Sequence, residues 1–117
     1  MQRTNILVIM LVTAASTFLS VTIAVHYSRA EEPPPTKAEF EKGAQLFSQI
    51  CSHCHGPQMV NPGNWSFDLR KFPHNDRGRF FNSVMNGKNA MPPWKDILKP
   101  DEIAAIWAYV RTGGKEP

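Results

Sequence analysis

Only two cysteines occur in the 117 residues, and Cys51 and Cys54 stand three positions apart inside Cys51-Ser52-His53-Cys54-His55. Two thiols that close along the chain cannot staple distant parts of a fold. The restriction matters because residues 1–30 read as something other than domain, which leaves 87 residues, 31–117, to build a core. A domain of that size buries a smaller fraction of its surface than a typical one, and a metal or cofactor commonly supplements its core. A bound group is therefore expected, and its chemistry has to be sought around the cysteine pair.

The N-terminus sets the compartment. Arg3 precedes twenty uncharged, mostly apolar positions, residues 6–25, and then Ser28-Arg29-Ala30, with small residues at both positions of an A-x-A-like cleavage site. A signal h-region spans about 7–15 residues, whereas about 20 cross a bilayer. The segment thus admits both removal after Ala30 and retention as an inner-membrane anchor. In either case residues 31 onward face the outside. A buried core helix is not the expected reading, since a stretch apolar all round would need more partner surface than 87 residues readily offer.

Glu31-Glu32-Pro33-Pro34-Pro35 follows, a charged, proline-rich stretch read as an extended linker over residues 31–36. From residue 37 the pattern becomes helical. Thr36 and Glu39 form a T-x-x-E capping box, and Phe40, Ala44, Phe47 and Cys51 recur at helical spacing, so a first helix runs from Lys37 to the cysteine pair. A second is expected from Asn75 or Asp76 as cap through Asn86, stopped by Gly87. A third starts with Pro100 at its first position and Asp101 and Glu102 in its first turn, ending near Arg111, with Ile103, Ile106, Trp107 and Val110 as its apolar face.

C-x-x-C-H is the attachment pattern of c-type haem. Two thiols at i and i+3 add to two vinyl groups, and the next imidazole reaches the iron. Two other chemistries fit less well. A redox C-x-x-C should follow a strand, and here it ends an amphipathic helix; a zinc site needs four ligands, and only His53, His55 and the distant His74 supplement the thiols. A thioether on the far side of the iron would raise the potential and mark electron transfer. Met59 lies four residues after His55, too near to reach that side, and Met85 falls in a helical core pattern. Met91 sits between Gly87-Lys88-Asn89-Ala90 and Pro92-Pro93, in a stretch that cannot be helix and whose prolines stiffen the backbone beside the sulfur.

CSHCHG, then SVMNGKNAMPPW and an amphipathic C-terminal helix, resemble the class I cytochromes c, particularly short bacterial forms, over residues 37–113. The resemblance implies an all-α class I cytochrome c fold, with three main helices around one haem c bound through two thioethers and residues 37–117 as the domain. It makes Cys51 and Cys54 the attachment sites, and His55 and Met91 the iron ligands. Pro62 becomes the proline whose carbonyl accepts a hydrogen bond from the ligand imidazole. In the family a glycine and an aromatic of the first helix pack across the last helix, where Gly43, Phe47, Ile106 and Tyr109 fall. Trp65 and Trp94 read either as donors to the haem propionates or as core fillers. Arg70, with Lys71, reads either as a propionate partner or as a solvated patch. His53 and His74 are expected at the surface.

A six-coordinate His/Met iron leaves no position for substrate, so the expectation is a one-electron shuttle and not an enzyme. Residues 67–94, with FDLRKFP and GKNAMPPW, are also similar to small periplasmic cytochromes that serve PQQ-dependent alcohol dehydrogenases. That similarity implies a quinoprotein dehydrogenase as donor and a terminal oxidase as acceptor. The alternatives are a five-coordinate haem protein that binds NO or acts as a weak peroxidase, and a membrane-tethered subunit of a respiratory complex. Charge points to a protein partner: residues 31–50 carry −2, residues 51–99 carry +4 and residues 100–117 carry −1. If Arg70, Lys71, Lys88 and Lys95 ring the haem edge, they steer the protein toward acidic docking sites. Nucleic acid is not implied, because the basic residues are few.

Overall fold

The computed structural model describes residues 31–63 and 65–117. The apolar stretch 6–25, and with it the choice between signal peptide and anchor, lies outside the described residues. Among those residues the chain forms four α-helices: α1 Lys37–Leu46, α2 Ser52–His55, α3 Arg77–Asn86 and α4 Pro100–Arg111. They include no strand, and the one isolated bridge pairs Lys88 with Met91.

Helix ends follow the local chemistry. The Thr36 hydroxyl accepts from the Glu39 N–H, and the Glu39 carboxylate accepts from the Thr36 N–H at 2.7 Å, so both orphan donors at the start of α1 are satisfied. Asp76, one of the two expected caps, accepts from the Arg79 N–H at 3.2 Å, and α3 stops at Gly87. At α4, Pro100 occupies the first turn and the Glu102 carboxylate accepts from the Lys99 N–H at 2.8 Å.

Between α1 and α2 the helix widens into a π turn, Phe47–Cys51, in which the Ser52 N–H reaches back to the Phe47 carbonyl. The 3.6-residue spacing of Phe40, Ala44, Phe47 and Cys51 gave no sign of the extra residue in this turn. π turns of this kind are frequent at functional sites, and this one delivers the chain to Cys51.

The core forms where α1 crosses α4. A Cβ placed on Gly43 would stand 1.9 Å from the Ala105 carbonyl oxygen, so only glycine lets the two backbones come this close. Tyr109 on α4 packs its ring against Phe40 and Phe47, with centroids 5.4 and 5.2 Å away. Trp107, also on α4, is 1% exposed and packs against Phe80 at 5.2 Å and Phe72 at 6.1 Å. Met59 is fully buried beside Gly114 and Tyr109, a packing role and not a ligand's.

The proline-rich stretch is extended, yet it is also tied to the helices. Glu32 accepts from Trp107 Nε1 at 2.9 Å, and its carboxylate lies 3.3 Å from Arg77 Nε and 3.6 Å from Arg111 Nη1. Arg111 further donates to the carbonyls of Glu32 and Pro33. Glu32→Ala leaves the indole N–H of a buried tryptophan without its acceptor, which costs about 1–3 kcal/mol. Urea unfolding should show that loss, and a smaller one for Glu32→Gln, whose amide oxygen still accepts. Equal stability of all three proteins would mean that the tie contributes nothing.

Candidate cofactor site

A cavity of about 520 Å³ opens between the end of the first helical segment, residues 65–72, α3, α4 and the hairpin after α3. Its size suits a cofactor, since ligand cavities run from about 300 to 1,000 Å³. Phe47, Ile50, Phe72, Phe80, Val84 and Ile106 supply much of an apolar lining.

The cavity brings together Cys51, Cys54, His55, Met91, Trp65 and Trp94 of the expected site residues, but not Pro62 or Arg70. No disulfide joins Cys51 to Cys54. Burial, with Cys54 beside it, pushes the Cys51 thiol up to about 12, so it is a neutral S–H at physiological pH. Trp65 is 71% exposed, which rules out core filling, whereas Trp94 is half-buried and packs against the core. His53 and His74 are exposed, as expected.

The Met91 hairpin is held by main-chain bonds. Lys88 N–H donates to the Met91 carbonyl at 3.1 Å and Met91 N–H returns to the Lys88 carbonyl at 3.0 Å, with Asn89 at φ 55° in the turn. Trp94 N–H then donates to the Val84 carbonyl at 2.9 Å, fastening the far side of the loop to α3. The stiffness expected from Pro92-Pro93 is thus reinforced from both ends.

Two expectations need correction. The acceptor for the His55 ring is the Phe67 carbonyl, 2.9 Å from Nδ1, and not that of Pro62. Asn61 explains the difference. Its side chain accepts from the Gly63 N–H at 2.8 Å and donates to the Ser66 carbonyl, folding the loop so that Phe67 and not Pro62 reaches the imidazole. Arg70 is forked onto Asp68, with Nε and Nη2 each 2.9 Å from a carboxylate oxygen, and stands outside the lining. The cations that line the cavity are Arg79 and Lys88. Arg79 was not singled out by the sequence, where RGRFF reads only as the start of a helix.

A carbonyl can only accept, so the bond to Phe67 places the His55 proton on Nδ1 and leaves the Nε2 lone pair free. Two thiols, one such imidazole and a thioether around an apolar cavity form a donor set that suits a covalently attached haem. No group of three or more His, Cys, Asp or Glu side chains able to hold a metal ion occurs among the described residues.

A family model described as "Cytochrome C oxidase, cbb3-type, subunit III" matches residues 38–110. Cytochrome c6 of Nostoc sp. is 35% identical over 88 residues, covering 72% of this chain and 79% of that relative. The chain belongs to the cytochrome c family. It is an electron carrier with a covalently bound haem c, not an enzyme. The cytochrome also resembles the crystal structure of cytochrome cL from the methylotroph Methylophaga aminisulfidivorans, at 27% identity and TM-score 0.56, over 68% of this chain and 57% of that one. The quinohemoprotein alcohol dehydrogenase ADH IIB of Pseudomonas putida is 36% identical over 84 residues, which make up 67% of this chain but only 12% of that protein. With its helices and no strand among the described residues, the cytochrome has the class I fold.

Proposed function

We propose that the cytochrome holds its haem through Cys51 and Cys54, ligates the iron with His55 and Met91, and shuttles single electrons in the bacterial periplasm. The donor is a PQQ-dependent alcohol dehydrogenase and the acceptor a terminal oxidase. The observation that carries the reading is the meeting of these four side chains, from two separate segments of the chain, in one apolar cavity. When bound, the haem supplies the Fe(II)/Fe(III) couple. The chain's residues do the rest. His55 is oriented by its bond to the Phe67 carbonyl. Phe47, Phe72, Phe80 and Ile106 keep water from the cavity, and the Met91 hairpin holds the sulfur in place through its main-chain bonds.

The choice of donor is supported by the similarity to part of a quinohemoprotein alcohol dehydrogenase. The matching family is described as an oxidase subunit, which supports an oxidase as the end of the route and equally the second reading, a tethered subunit of a respiratory complex. Lys88 on the lining and exposed Lys95 supply positive charge for an acidic docking site. Export rests on residues 1–30.

The test uses the native holoprotein. Haem that stays with the chain in denaturing solvent, a weak far-red ferric band from Met-to-iron charge transfer, and reduction by a quinoprotein alcohol dehydrogenase that slows as salt rises are the expected results. A high-spin ferric spectrum without that band would overturn the shuttle in favour of an NO-binding or peroxidatic protein. N-terminal sequencing separates a chain starting at Glu31, released into the periplasm, from one that keeps residues 6–25 as an anchor.

A further inference from the structure

The lining of the cavity contains two cations, Arg79 and Lys88, and no carboxylate. Among the described residues each of the other arginines has a carboxylate within ion-pair distance: Arg70 has Asp68, and Arg77 and Arg111 share Glu32. Arg79 has no carboxylate within ion-pair distance among those residues. Its guanidinium lies over the ring of Phe72, 4.9 Å from the centroid, and Phe72 is itself buried and part of the cavity wall. The N-terminal turn of α3 fixes its backbone, because the Asp76 side chain caps the Arg79 N–H. A planar fork stacked on an aromatic wall is pre-organised to take a carboxylate through two parallel bonds. Lys88 is exposed as Arg79 is, but it is a point-charge ammonium on a flexible stem in the hairpin turn, with no planar fork.

The geometry points to Arg79 as the residue that binds a carboxylate of the haem and holds a positive charge near the iron. This rests on the reading that the haem occupies this cavity. A cation so placed favours the reduced, less positive state of the iron. It also favours the ionised form of the carboxylate it binds. Because Arg79 is exposed, both effects weaken as salt rises.

The experiment measures reduction potential against pH, at low and moderate salt, for the wild-type holoprotein and for Arg79→Gln, Arg79→Lys, Arg70→Gln and Lys88→Gln. Arg79→Gln should lower the potential by the equivalent of at least a threefold shift in the ferrous-to-ferric ratio, about 28 mV at 59 mV per tenfold. The pH at which the potential bends should move up, the ferric far-red band should persist, and Arg79→Lys should recover part of the shift. Arg70→Gln, whose fork serves Asp68, should change neither quantity. An Arg79→Gln protein that matches the wild type, or a larger shift from Lys88→Gln, overturns the assignment. A wild-type protein that lacks covalent haem overturns the underlying reading and the assignment together, so the two failures are distinguishable.

Discussion

Replacing Met91 with alanine is expected to lower the reduction potential by roughly a few tenths of a volt, within the ~0.8 V over which axial ligands set haem potentials. The ferric far-red band should vanish and high-spin features replace it. The change should stay local. The hairpin is held by main-chain bonds between Lys88 and Met91 and between Trp94 and Val84, none of which needs the thioether. Among the described residues no other methionine is placed to substitute. Met59 is fully buried beside Tyr109, Met85 packs against the core, and neither lines the cavity. Potentiometry with the ferric spectrum checks this. An unchanged potential with the band intact would remove Met91 as the ligand.

Gly43→Ala should severely damage the crossing of α1 and α4. The new Cβ would lie 1.9 Å from the Ala105 carbonyl oxygen and 2.7 Å from the Ala105 carbonyl carbon. Both are backbone atoms of α4 and cannot rotate aside as a side chain would. The helices have to move apart, which disturbs the stacking of Phe40 and Phe47 on Tyr109. Overpacking in a core costs about 1–3 kcal/mol and occasionally more, and a backbone clash belongs at or above the top of that range. Set against the 5–15 kcal/mol that typically stabilises a domain, the loss should appear as a marked fall in unfolding midpoint and in the yield of holoprotein. Gly78→Ala is the control. A Cβ on Gly78 meets nothing within 4 Å, and alanine is favoured in a helix by up to about 1 kcal/mol, so stability should hold or rise. If the two variants behaved alike, the crossing would not be as tight as its geometry indicates.

The features legible in the sequence are those set by near neighbours. Thr36 with Glu39, Asp76 before α3 and Pro100 at the start of α4 declare helix ends because a cap and its partner lie within one turn. Cys51, Cys54 and His55 name a haem-attachment motif from five consecutive residues, and Met91 stands out because Pro92 and Pro93 exclude helix around it. The crossing at Gly43 was also foreseeable, but only through resemblance to a family, since no periodicity distinguishes a glycine at a helix crossing from one at the surface.

Other features depend on how loops fold, which spacing does not encode. The partner of the His55 ring is a carbonyl twelve residues away, and any residue has a carbonyl; the Asn61 turn selects Phe67 over Pro62. Arg70 and Arg79 are alike as residues, and only the tertiary structure sets one on Asp68 and the other on the cavity wall. Glu32 meets Trp107 across 75 positions, turning part of an apparent linker into a fastening of the helices. Local rules of capping, helical spacing and proline stiffness therefore determined which elements form and which residues offer haem chemistry. Long-range packing decided which of those residues share a cavity and which backbone oxygen orients the imidazole, because contacts far apart in sequence form only once the loops between them have closed.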